Sequence, residues 1–258
     1  MPAPKNMLRR RLQAGEDLFG IWLGMADPYA AEIAATAGFD WLLIDGEHAP
    51  NDLRTTLAQL AVVERSASAP VVRLPDGDPA RIKQMLDIGA QSLLIPMVES
   101  AAQAAALVAA TRYPPEGFRG VGASLARASR FAAIPDYLTT ANAEILLMVQ
   151  VESRKGLTAL PEILAVPGVD GVFIGPSDLA ADMGQLGNTA APEVRAAVTG
   201  ALRQTRAAGK IAGVLATSPD FIAQCREAGA NFLGIGIDVH LFAEALRGLS
   251  ARYPGPSA

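Results

Sequence analysis

The chain has 258 residues, half of them hydrophobic and 19% charged, enough to bury one full-size α/β core. A formal net charge of −4 without a dense basic cluster argues against a nucleic-acid partner. A single cysteine, Cys225, rules out an internal disulfide, no apolar run reaches the ~18 residues that span a bilayer, and no apolar signal-peptide core opens the chain, so a cytoplasmic protein is expected.

In chain order, the cationic run Arg9–Arg11 falls in an expected first helix and reads as its solvated face. Short β-rich runs follow at 19–24 (FGIWLG), 41–45 (WLLID), 70–74 (PVVRL) and 92–98 (SLLIPMV). Four more lie at 145–152 (ILLMVQVE), 171–175 (GVFIG), 211–216 (IAGVLA) and 231–237 (NFLGIGI). Ala-rich, helix-favouring stretches separate them, among them Tyr29–Ala37, Leu53–Arg65, Ala80–Ile88, Ala101–Thr111 and Glu193–Ala208. Asp27-Pro28, Asp78-Pro79 and Ser218-Pro219 read as helix starts, and Gly38, Gly89, Gly209 and Gly229 as helix stops. Eight alternating βα units predict a single-domain parallel (β/α)8 barrel over residues 1–258. A doubly wound sheet is the rival, but no glycine-rich turn follows the first strand. One connection breaks the rhythm, at about 112–143. It is far longer than an ordinary barrel loop, which suggests a lid or a subunit contact, and IPDYLTTA within it could add a short helix.

In such a barrel, the C-terminal strand ends meet at one mouth. The first strand ends near Trp22, and the second ends at Asp45 with His48 just beyond. Arg73 closes the third, Gln150 and Glu152 share one face at the end of the fifth, Asp178 follows the sixth, and Leu215 closes the seventh. Each polar residue also has an ordinary reading: Asp45 and Asp178 as helix caps, Arg73 as a surface residue, Glu47 as a solvated or supporting group. His240 has no partner in view and reads as structural. Asp87 lies near a helix C-terminus, where the dipole disfavours an anion, and so points to a partner, within the chain or on another subunit. Glu152 and Asp178 belong to consecutive strands, ~4.8 Å apart in such a sheet, and two carboxylates that close repel unless a proton or cation lies between them. Oxygen ligands with open positions favour Mg²⁺ or Mn²⁺, with Co²⁺ a further candidate, over a His/Cys zinc site.

Taken together, GFDWLLIDGEHAP (38–50), VRLP (72–75), PPEGFRGVGASLARASRF (114–131), VQVES (149–153) and GVFIGPSDLAADMG (171–184) resemble the metal-dependent (class II) pyruvate aldolases of the 4-hydroxy-2-oxoheptanedioate aldolase family. The resemblance runs from about Phe19 to Tyr253, leaving out the N-terminal tail and the final YPGPSA. It implies reversible cleavage of 4-hydroxy-2-oxo acids to pyruvate and an aldehyde such as succinic semialdehyde, by way of the enolate of pyruvate. It further implies Glu152 and Asp178 as ligands of a divalent cation, Arg73 and His48 as catalytic, Asp45 as partner of the histidine, and a homohexamer in which Asp87 supports a neighbouring subunit's site. Ser177 and Asp178 would receive the substrate carboxylate through their backbone N–H groups, while Gln150, Trp22 and Leu215 line the pocket.

The residue types suit that chemistry. Fixed positive charge from Arg73 would stabilise the 2-oxo oxygen, and His48 could take the 4-hydroxyl proton directly or through water. A Schiff-base route needs a lysine inside the barrel, and Lys5, Lys83, Lys155 and Lys210 all fall outside the strands. A lyase acting on coenzyme A esters would share the enolate logic but calls for basic residues around the mouth. Chemistry like that of phosphoenolpyruvate mutase uses a different motif set. A silent metal- and oxo-acid-binding barrel is the non-enzymatic alternative.

Overall fold

The computed structural model describes residues 1–253; most of the YPGPSA tail lies outside the described residues. Strands β1 (Leu18–Leu23), β2 (Trp41–Asp45), β3 (Ala69–Arg73), β4 (Ser92–Ile95), β5 (Leu146–Val151), β6 (Gly171–Ile174), β7 (Ile211–Leu215) and β8 (Phe232–Ile237) close a parallel barrel in chain order. The helices of the first half are α1 (Met7–Gln13), α2 (Pro28–Ala35), α3 (Leu53–Val63), α4 (Pro79–Asp87), α5 (Ala101–Thr111) and α6 (Tyr137–Thr140). Those of the second are α7 (Arg154–Thr158), α8 (Leu160–Leu164), α9 (Pro176–Asp182), α10 (Pro192–Ala207), α11 (Pro219–Glu227) and α12 (Asp238–Arg252). Among the described residues, no helix is long and apolar enough to cross a membrane.

All eight expected strands form. β4 loses most against expectation: it stops at Ile95, because Pro96 has no N–H to give the ladder. Asp27, Asp52, Asp78, Ser100 and Ser153 each accept a helix-start N–H, whereas Ser218 makes no side-chain cap bond. Gly38, Gly89, Gly209 and Gly229 all take positive φ past their helices.

Strand alternation sorts the side chains into two cores. One set, with Ile44, Val72, Ile95, Val149 and Ile174, packs outward against the helices. The other fills the barrel, where Trp22, Trp41, Phe173 and Phe232 supply most of the volume; the Trp41 and Phe232 rings stack at 4.0 Å. A Cβ at Gly20 would overlap the Trp41 ring, and one at Gly234 would overlap Trp22, so glycines make the room for the aromatics. Helix α1 plugs the N-terminal end of the barrel with Leu8 and Leu12. Its arginines are not merely a solvated face: Arg9 pairs with Asp170 at 2.8 Å, Arg10 with Glu144 at 3.0 Å and Arg11 with Asp40 at 2.9 Å.

The long connection from α5 to β5 carries α6 and its own small core around Ala3, Tyr113, Ile134 and Tyr137. Helix α5 returns the chain to the N-terminal end of the barrel, so the excursion lies opposite the mouth. It cannot be a lid over its own chain's site, and of the two sequence-based readings the lid is corrected for that reason. Helix α12 is anomalous in another way, since none of its residues is buried.

Candidate active site

Parallel register sets Asp45 beside Arg73 and Gln150 beside Phe173, with all three polar side chains turned into the barrel at its C-terminal mouth. Asp45, Arg73, Gln150 and Glu152 are buried there. Arg73 Nε donates to Asp45 Oδ1 at 2.8 Å and Nη2 to Oδ2 at 2.7 Å, a two-pronged pair that fixes the guanidinium plane. Arg73 Nη1 lies 2.8 Å from Glu47 Oε2, and the guanidinium carbon lies 5.9 Å from the Trp22 ring centre. Gly46 admits this turn: a Cβ there would meet the Arg73 carbonyl oxygen at 2.8 Å.

This geometry corrects the expected pairing of Asp45 with His48. Both carboxylate oxygens of Asp45 are taken by Arg73, and Oδ1 also accepts the backbone N–H of Glu47 at 3.0 Å and of His48 at 3.4 Å. The imidazole is exposed, and its nearest carboxylate is Glu47, at 3.9 Å from Nε2. Glu47 is therefore not a solvated side group. It continues the inward face of β2 two residues past Asp45, a spacing already present in the sequence. Burial pushes its carboxyl upward against the lowering effect of Arg73, and the charge on Glu152 adds to the rise.

Glu152 sits just beyond β5. Its Oε1 accepts the Met97 backbone N–H at 2.9 Å, and its Oε2 accepts from Gln150 Nε2. Burial holds its carboxyl above the usual range, and the negative charge of Asp178 raises it further. A Cβ at Gly175 would collide with Glu152 Oε2, so the end of β6 is bare where the carboxylate turns. Asp178 lies exposed in the first turn of α9, and α9 has no side-chain cap bond, so the capping reading of Asp178 fails. Ser177 is exposed beside it. Trp22 is buried and Leu215 partly buried at the rim.

Asp87 does not join these residues. It ends α4 at the opposite end of the barrel, where its Oδ1 accepts from the buried Arg119 at 2.7 Å, so its partner lies within the chain. Lys155 is held by Glu99 at 2.9 Å on the protein's exterior. His240 stands 4.0 Å from Glu244 on α12.

Could the mouth hold a cation? Among the described residues, no group of three or more His, Cys, Asp or Glu forms a metal cluster. Two carboxylates nevertheless suit Mg²⁺-like ions, which keep several waters and take other ligands from substrate. Buried polar atoms also wait for partners at this mouth: among the described residues, Gln150 Oε1 and Trp22 Nε1 make no hydrogen bond. The donor set fits a hard divalent ion and does not fit a zinc site of thiolates and imidazoles.

A model of the HpcH/HpaI aldolase/citrate lyase family matches residues 18–245. The chain is 59% identical over 253 residues to a hydroxypyruvate/pyruvate aldolase of Roseovarius nubinhibens, covering 98% of each chain. It is 53% identical over 249 residues to a 4-hydroxy-2-oxo-heptane-1,7-dioate aldolase of Salmonella dublin, covering 96% of this chain and 95% of that one. A crystal structure of an HpcH/HpaI aldolase/citrate lyase family protein from Burkholderia cenocepacia superimposes with a TM-score of 0.92 at 40% identity, covering 97% of this chain and 100% of that one.

The raised carboxyl of Glu152 makes a prediction about stability without metal. An acid raised by folding favours the folded state while protonated, and loses that contribution as pH rises through its folded value. In EDTA-stripped protein, Glu152→Gln should therefore raise the melting temperature by a few degrees at pH 7–8. The gain should shrink as pH falls toward 5. Scanning calorimetry at both pH values measures it, and a lower melting temperature at pH 8 would contradict the burial argument.

Proposed function

The chain belongs to the HpcH/HpaI aldolase/citrate lyase family and is a carbon–carbon lyase of its aldolase branch; we propose that it reversibly cleaves 4-hydroxy-2-oxo acids to pyruvate and an aldehyde with a divalent cation as cofactor. The observation that carries this reading is the mouth itself: one immobilised guanidinium faces a buried carboxylate, Glu152, whose neighbour Asp178 is also acidic. Glu152 and Asp178 hold the cation, Mg²⁺, Mn²⁺ or Co²⁺, and when bound it supplies Lewis-acid polarisation of the substrate's 2-oxo group.

The remaining work falls to the chain. The N–H groups of Ser177 and Asp178 open α9, where the first turn has no helical acceptor for its donors, and they receive the substrate carboxylate. Arg73 needs no reorientation, because Asp45 and Glu47 already fix it, and it stabilises charge growing on the 2-oxo oxygen. His48 takes the proton of the 4-hydroxyl, directly or through a water. As that proton leaves, the C3–C4 bond breaks, C4 becomes the aldehyde carbonyl, and the bonding pair moves into C2–C3 to give the enolate of pyruvate. Protonation at C3 releases pyruvate, and the reverse sequence forms the carbon–carbon bond. Gln150 orients the bound oxo acid, while Trp22 and Leu215 give the pocket its apolar wall.

Succinic semialdehyde is the aldehyde of the parent reaction. A second reading keeps the same residues and takes hydroxypyruvate as the enolate donor in place of pyruvate. It is favoured by the name of the Roseovarius relative at 59% identity.

The protein also acts as a homohexamer in the cytoplasm. Val239, Phe242, Leu246 and Leu249 form an exposed apolar stripe along α12, which suits burial against another copy. Asp87, far from its own mouth and held through Oδ1 by Arg119, supports a neighbouring subunit's site in that assembly.

Stripped protein should release pyruvate from racemic 4-hydroxy-2-oxoheptanedioate only after Mn²⁺, Mg²⁺ or Co²⁺ is added. Arg73→Ala should cut the rate by ~10²–10³ or more. Metal-independent turnover, or near-normal kcat in Arg73→Ala, would sink the mechanism. Sedimentation should return six times the chain mass, falling on Phe242→Asp; a monomeric wild type would contradict the assembly.

A further inference from the structure

Resting on the reading of Glu152 as a metal ligand, we propose that Gln103, an exposed residue on α5, is a positioning residue that sets the Glu152 carboxylate through the backbone of Met97. The argument begins with a backbone oddity. Met97 has φ 55°, a left-handed conformation that a side-chain-bearing residue adopts only when its surroundings hold it. That conformation turns the Met97 N–H toward the barrel mouth, where it donates to Glu152 Oε1 at 2.9 Å.

The other side of Met97 is held by Gln103. Gln103 Nε2 donates to the Met97 carbonyl oxygen at 3.0 Å, and Gln103 Oε1 accepts the Glu99 N–H at 2.9 Å. One amide side chain thus ties both ends of the Met97–Glu99 turn. Val98, between them, donates its N–H to the Gln150 carbonyl oxygen at 2.9 Å, which stitches the same turn to β5. The Glu99 side chain adds a second tie, accepting from Ser153 Oγ at 2.7 Å and Lys155 Nζ at 2.9 Å. The residues flanking Glu152 in sequence and in space are therefore braced from α5.

A plain helix cap is the competing explanation. Ser100 caps α5, accepting the Gln103 N–H at 3.2 Å, and Ser-x-x-Gln is the pattern of a capping box. In such a box the glutamine side chain returns to the N–H of the capping residue itself. Here it reaches past Ser100 to Glu99 and Met97, so it serves the turn rather than the cap. Partners that orient a metal ligand commonly change metal affinity by ~10–100-fold when removed.

Two measurements test the brace. The first needs no metal: amide hydrogen exchange on the stripped full-length protein. Gln103→Ala should speed exchange at Met97 and Glu99 at least tenfold while leaving amides of β2 and β3 unchanged. The second is Mn²⁺ titration of stripped protein by calorimetry, in which Gln103→Ala should weaken binding ~10–100-fold. Adding Met97→Gly, which takes positive φ without steric cost, should restore part of that loss. Unchanged exchange at Met97 would overturn the brace whatever the metal does. Faster exchange with unchanged Mn²⁺ affinity would overturn its role at Glu152. If wild type and Glu152→Gln bind Mn²⁺ alike, the metal-ligand reading fails, and with it the role assigned to Gln103.

Discussion

The candidate site depends on the clasp between Arg73 and the two carboxylates at the end of β2. A buried guanidinium costs desolvation that only close, aligned partners offset, and Asp45 gives both oxygens to that task. Once Asp45 is so used, Glu47 is drawn to the third guanidinium nitrogen, and the turn between them needs Gly46 because the Arg73 carbonyl oxygen passes too close for a Cβ. Removing either partner of such a buried pair typically costs about 3–5 kcal/mol. The clasp is thus structural and chemical at once: it tethers β2 to β3 and leaves a fixed positive charge facing the mouth.

On the opposite side the charge logic is reversed. Glu152 and Asp178 come together, and among the described residues no side-chain cation bonds to Glu152, which is held by a backbone amide and a neutral side-chain amide. A fold gains nothing from that arrangement by itself, and such locally unfavourable placement is typical of sites shaped for a ligand. The unpartnered polar atoms of Gln150 and Trp22 gather at the same mouth, so the unfavourable terms concentrate where chemistry is expected.

Much of this was legible in the sequence because barrels obey simple periodicities. Strand alternation alone turns Asp45, Arg73 and Gln150 inward, and helix-stop glycines mark the returns to β2, β4, β7 and β8. The partner of Asp45 was not legible, because His48 is three residues away in sequence whereas Arg73 is adjacent only through the β2–β3 register. For Glu47 the sequence leaves solvated and supporting readings open, and its spacing from Asp45, which continues the inward face, favours the supporting one. The long α5–β5 excursion reads as a lid until one asks which end of the barrel a helix returns to. The Met97 turn left no trace at all, since its left-handed backbone arises from contacts with Gln103 and Glu152 rather than from a glycine.

The proposed enolate of pyruvate can be tested for without any aldehyde. In D₂O with Mg²⁺, the protein should exchange the methyl protons of pyruvate for deuterium, followed by proton NMR. Exchange should vanish with EDTA and fall at least tenfold in Arg73→Lys, which keeps the charge but loses the two-pronged geometry. Unchanged exchange after metal removal, or no exchange by an enzyme that still cleaves 4-hydroxy-2-oxo acids, would contradict the account.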